Sequence, residues 1–142
     1  MIRSYFPLSI CLLLVLSACS PNSIEDFHHE GQTRSRALIL DLQKIHTREE
    51  LALSSPLLKK HFEALVDLMI RARTFQESHP EESLALPFAS ETTVSDELEE
   101  ELRRIYKIEG GREIVERTQQ EALVHLDAFE RSCAKKKQTL IY

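Results

Sequence analysis

The sequence predicts an all-α protein, a small bundle of about four helices, and three observations carry that expectation. Of its 142 residues, 42% are hydrophobic and 29% charged, with only three Gly and no Trp, a balance suited to helices rather than to a turn-rich β-sandwich. Apolar residues recur at helical spacing in four separate stretches. Short links rich in Pro or Gly separate those stretches, as they do between the helices of a bundle.

The chain divides into residues 1–18, 19–33 and 34–142. The first part has the layout of a cleaved signal peptide: one base at Arg3, an apolar run from Leu8 to Leu16, and small residues at Ser17 and Ala18. The run is too short for a permanent span, because a bilayer core of about 30 Å needs roughly 20 apolar helical residues. Its last residues, Leu16-Ser17-Ala18-Cys19, resemble the lipobox of bacterial lipoproteins. That resemblance implies that the Cys19 thiol takes a diacylglyceryl group through a thioether and that signal peptidase II then cuts before it. It further implies attachment to an envelope membrane through lipid on Cys19. Each buried methylene contributes about 0.8 kcal/mol, so two or more acyl chains hold a domain stably. Ser20, uncharged, follows the cysteine, and in enteric members of the family such a residue marks export to the outer membrane.

From Ser20 to Thr33 the residues are polar, and Pro21, Asn22, Ser23 and Gly31 interrupt any period, which predicts a tether. A flexible segment of that length reaches about 20 Å. The first helix is read from Leu38, Leu42 and Ile45, broadened by Ile39 and fading toward Leu53. Ser55-Pro56 predicts a new start, Ser as N-cap and Pro at the first helical position, where its missing N–H is harmless. The second helix then carries Leu58, Phe62, Leu65 and Met69 on one stripe, with Val66 and Ile70 beside it, and ends by His79 ahead of Pro80.

Leu84, Leu86 and Phe88 alternate with smaller or polar residues, which predicts an extended link laid over the core. A third helix is expected to start at Thr93 to Ser95, point Leu98, Leu102 and Ile105 inward and stop at Gly110-Gly111, a left-handed C-cap. The fourth, from Arg112 to Lys135, carries Val115, Thr118, Ala122, Leu126, Phe129 and Cys133 on its stripe. Val124 projects nearly opposite that stripe with Leu123 beside it, which is either ordinary surface apolarity or part of a partner face.

Loss of residues 1–18 leaves 124 residues with 17 bases against 23 acids, a formal charge of −6. An acidic chain without bases interleaved with aromatics argues against nucleic acid as a partner. Lys135-Lys136-Lys137 is read as a helix-end feature that offsets unpaired carbonyls, with anionic headgroups as a secondary use. His28-His29-Glu30 has ligand-type side chains but no second pair at zinc spacing, and is read as a solvated stretch. Glu121 and His125, at i and i+4, are read as a surface pair, and His46 and His61 as isolated.

The acidic run Asp96, Glu97, Glu99, Glu100 and Glu101 lacks a Gly-containing Ca²⁺ loop. It is read as a solvated face in which Glu99 pairs with Arg103 and Glu100 with Arg104. Cys133, the remaining cysteine of the mature chain, is read as a small buried hydrophobe. Attachment to the cell wall through a terminal Lys, as in the murein-linked member of the lipoprotein family, is not expected of a chain ending Leu140-Ile141-Tyr142.

Neither a phosphate loop nor a nucleophile elbow is present, and no pair of acids is singled out for glycan hydrolysis. The reading is therefore non-enzymatic and without cofactor or catalytic residues. It expects an envelope lipoprotein whose helical domain has a structural role or binds another envelope protein. Two alternatives stand beside it: a pilotin- or chaperone-like lipoprotein that accepts a partner's helix in a groove, and an envelope hydrolase.

Overall fold

A computed structural model describes residues 21, 23–81 and 92–139 and contains four helices: α1 (Ile24–Gln43), α2 (Arg48–Ser78), α3 (Thr92–Ile105) and α4 (Gly111–Thr139). None of the described helices is long and apolar enough to cross a membrane. Cys19, the Leu84–Phe88 link and Leu140–Tyr142 lie outside the described residues.

The expected tether is helical from Ile24 onward. Ser23 is the N-cap, its hydroxyl accepting from the Asp26 N–H at 3.1 Å, and Glu25 and Asp26 fill the first turn, where acids suit the helix dipole. Ile24 and Phe27 are buried and share a face with Leu38 and Leu42 about three to five turns on. Polar residues between them thin the apolar stripe, which is why periodicity does not reveal this half of α1.

A second correction concerns Pro56. Helix α2 starts not at Ser55 but at Arg48, after a capping box in which the Thr47 hydroxyl accepts from the Glu50 N–H and the Glu50 carboxylate accepts from the Thr47 N–H. Pro56 sits inside the helix and removes the bond to the Ala52 carbonyl, but Ala52 is exposed, so water can take the bond's place. Leu51 and Leu58, on either side of Pro56, are fully buried in the same core and hold the two parts as one helix.

Cross-helix ion pairs set the directions. His61–Asp41 and Arg71–Glu30 match descending α1 numbers with ascending α2 numbers, so α1 and α2 are antiparallel. Lys59–Glu121 and Arg73–Glu130 make α4 run parallel to α2. Helix α3 lies on α1, its Arg104 at the end of α1, and the order across the bundle is α3, α1, α2, α4. One end of the bundle therefore carries the 44–47 and 106–110 turns, and the other carries Ser23, the end of α2, the start of α3 and the end of α4.

The core gathers at the turn end, where Leu38, Leu42, Ile45, Leu51, Leu58, Ile105 and Val115 are fully buried. Most of the expected stripes of α3 and α4 face it: Ile105, Val115, Thr118 and Ala122 are buried and Leu98, Leu102 and Leu126 partly so, whereas Phe129 and Cys133 are half-buried further along α4, beside Arg73 and Glu77. Met69 is a correction, being 47% exposed, while Leu68 beside it is 6% exposed. Helix α2 packs against α1 on one side and α4 on the other, so its buried face is wider than the single stripe read from the sequence.

At the turn between α3 and α4, Gly110 has the expected left-handed φ of +73°, but α3 already ends at Ile105, so Gly110 does not cap it; it stands before α4, its carbonyl accepting from the Ile114 N–H at 3.1 Å. Gly111 has another role: it opens α4, and a Cβ there would stand 2.1 Å from the Ile105 carbonyl oxygen.

Candidate functional site

An apolar opening lies away from the turn end, between α1, α2 and the first turn of α3. Ile24, Phe27, Gly31, Leu68, Met69 and Val94 form its apolar walls, with His28, Gln32, Ser35, Gln76 and Ser95 among its polar lining, around about 390 Å³. It exists because α3 is only 14 residues long beside the 20 of α1 and covers just part of it. On the Phe27 side, Phe27 and Phe75 meet with centroids 5.5 Å apart, Phe75 stacks on His79 at 4.2 Å, and the Arg71 guanidinium lies 5.9 Å over the Phe27 ring.

Glu30 ties this side together, accepting from Arg34 within α1 and from Arg71 of α2 at 2.8 Å. Burial pulls the Glu30 carboxyl upward, yet the hydrogen bonds from both guanidiniums outweigh it and hold the group below its ordinary value. Further along the same pair of helices, Asp41 is bonded to Lys44 at 2.7 Å and lies 2.8 Å from His61 Nε2. Those two contacts, Lys44 first, lower the Asp41 pKa.

The remaining sequence candidates separate rather than converge. His28 contacts Gln32 at 2.8 Å, and Glu30 is engaged by arginines. Glu121 pairs with Lys59 at 2.7 Å, which lowers its carboxyl, while His125 faces a recess with Glu63 and Asp67. The His46 and Thr47 N–H groups donate to Glu50 and lower it as well. Among the described residues no three His, Cys, Asp or Glu side chains group as a metal site. Cys133 is half-buried, in a shallow recess with Phe129, Arg73 and Glu77. Leu123 and Val124 are 43% and 59% exposed and do not line the main groove.

Within the acidic run, Glu99 pairs with Arg103 as expected. Arg104, however, bonds Glu101 and not Glu100. Its other two nitrogens donate to the Leu42 and Ile45 carbonyls, both at 2.6 Å, so α3 caps the C-terminus of α1. Sequence reasoning missed both this clasp and the groove. The clasp carries no local signal. The groove had a weak one in Ile24, Phe27 and Gly31, spaced i, i+3 and i+7.

Fold and site together define a small all-α bundle with an apolar groove at one end. No protein-family model matches the chain, and neither a curated protein nor a solved structure matches it.

Proposed function

We propose that the chain is a bacterial envelope lipoprotein, attached through lipid on Cys19, whose non-enzymatic helical domain has a structural or protein-binding role at the membrane. The observation that carries this reading is the lipobox-like Leu16-Ser17-Ala18-Cys19 at the end of a leader with signal-peptide layout. Helix α1 begins five residues later, which keeps the folded domain close to its anchor. Ser20 favours the outer membrane over the inner one.

Intact mass of the protein from detergent extract tests the anchor. A chain starting at Cys19 with two or three acyl chains, absent from Cys19→Ala, supports it; an unmodified chain cut elsewhere overturns it.

The groove favours a second reading, a pilotin- or chaperone-like lipoprotein that accepts an apolar helix of an envelope partner. Its walls come from Ile24, Phe27 and Leu68 rather than from Leu123 and Val124. Met69→Glu places a charge on the half-exposed rim, and loss of a co-purifying partner from this variant but not from Val124→Glu supports that reading.

A further inference from the structure

Helix α2 carries a second apolar stripe, on the side that meets no other described helix. Glu49, Leu53, Pro56 and Lys60 stand at i, i+4, i+7 and i+11, within about 60° of one another around the axis, and Ala52 and Leu57 flank them on either side. All six are exposed, Leu53 by 83% and Leu57 by 44%. The buried Leu51, Leu58 and Phe62 lie on the opposite side of the helix, so the core of the same chain cannot cover the stripe. Single exposed apolar residues are ordinary on a protein surface, whereas a contiguous group rimmed by charge is the pattern of a contact face.

The order of residues along this face is complementary to itself. Laid antiparallel on a second copy about a point midway between Ser54 and Ser55, Glu49 meets Lys60, Ala52 meets Leu57 and Leu53 meets Pro56, and each match occurs twice. The charges are available for it. Arg48 is taken by Glu109 and Lys59 by Glu121, whereas neither Glu49 nor Lys60 has a partner among the described residues. A parallel match would set Glu49 against Glu49 and Lys60 against Lys60, which like-charge repulsion disfavours.

We propose that two copies of the chain associate through this face, α2 against α2 in antiparallel, as an isologous two-fold dimer. The apolar middle supplies the attraction and the two Glu49–Lys60 pairs set the register. The contact spans about three turns of one helix in each copy, so the pair is a dissociating dimer rather than an obligate one. It joins the copies near their turn ends and leaves each groove, which α2 lines only from Leu68 onward, open to its surroundings. The dimer does not require lipid on Cys19 and goes beyond the proposed function.

Zero-length carbodiimide cross-linking of the full chain, with peptide mass spectrometry of the dimer band, is the test. Within one helix Glu49 and Lys60 are eleven positions and about 16 Å apart, too far for a direct amide, so a Glu49–Lys60 link reports two copies. The expected result is that link, with its yield cut about tenfold or more by Leu53→Gln, since each pair loses the apolar side chain twice while both reactive groups stay. Leu53 is exposed, so this variant should keep the thermal unfolding of the parent chain. Charge then checks the register. Glu49→Lys and Lys60→Glu each put like charges face to face in their own dimers, and mixing the two variants restores both pairs, so the mixture should regain an amide between positions 49 and 60 of different chains. Absence of the Glu49–Lys60 amide, an equal yield from Leu53→Gln, or no amide in the mixture overturns the dimer. Amides from Glu49 or Lys60 to a different protein, with none to a second copy, overturn it as well and give the face to that partner. Intact mass keeps this result apart from the lipoprotein reading: an unacylated chain removes that reading and leaves the dimer standing.

Discussion

The turn end and the groove end of this bundle use the same kind of residue to different effect. At the turn end, side chains from all four helices close on one another, and Leu38, Leu42, Leu51, Leu58, Ile105 and Val115 lose all contact with water. There a side chain from α3 caps α1, and a glycine lets α4 start against the backbone of α3. At the groove end, Ile24, Phe27, Leu68 and Val94 are also buried, but each keeps a little exposure at the groove wall. The comparison teaches that helix length alone can set how tightly a bundle packs at its two ends, since α3 helps close the turn end and reaches only part of α1.

The sharpest way to break that comparison is at Gly111. Gly111→Ala drives a Cβ to within 2.1 Å of the Ile105 carbonyl oxygen, a backbone atom that cannot step aside. A loss of about 3 kcal/mol or more in urea unfolding is expected. Truncation at the two ends should differ next: Leu42→Ala, in a closed core, should cost about 3–4 kcal/mol, and Leu68→Ala, at the groove wall, only about 2 kcal/mol. Equal costs would mean the two ends are equally well packed.

Arg104→Ala removes two charge-assisted bonds to the Leu42 and Ile45 carbonyls, and the partly exposed site moderates the expected cost to about 2–3 kcal/mol. Hydrogen exchange should show the loss first at the end of α1.

Acid should weaken the α1–α2 pairing. The Asp41 carboxyl is lowered in the folded chain, so the unfolded chain binds more protons between the two pKa values and stability rises with pH there. The contribution is complete above the ordinary carboxylate range and disappears as pH falls through the folded value. Asp41→Asn should therefore flatten the acid limb of a stability–pH curve and leave its slope at neutral pH unchanged.

The smallest expected effect is a gain. Gly31 is in mid-helix without positive φ, and an added Cβ would meet Leu68 at 3.5 Å, an ordinary contact. Gly31→Ala should raise stability by about 0.5–1 kcal/mol while narrowing the groove, so thermal unfolding and partner capture should move in opposite directions.

Much of the turn end was legible in the sequence because its helices present strong stripes to several neighbours at once. Leu38, Leu42, Leu58, Phe62, Ile105, Val115 and Ala122 stand at helical spacing and are buried where that spacing puts them. The groove end was less legible because a wall that stays partly open needs fewer apolar residues, and Gly31, Gln32 and Ser35 occupy positions a closed core would fill with Leu. Met69 was misplaced for a related reason. A helix packed on two sides has a broad buried face, and a one-stripe template selects the wrong neighbour.

By itself the sequence determined what depends on residues close together along the chain: helical periodicity and the left-handed turn at Gly110. The lipobox-like stretch Leu16–Cys19, on which the proposed lipidation rests, is likewise local in the chain. Only the tertiary structure decided that Pro56 stays within a helix, that α1 begins at Ile24 and that Arg104 closes the end of another helix. In each case the local preference is worth a few kcal/mol or less, and burial against residues distant in sequence outweighs it.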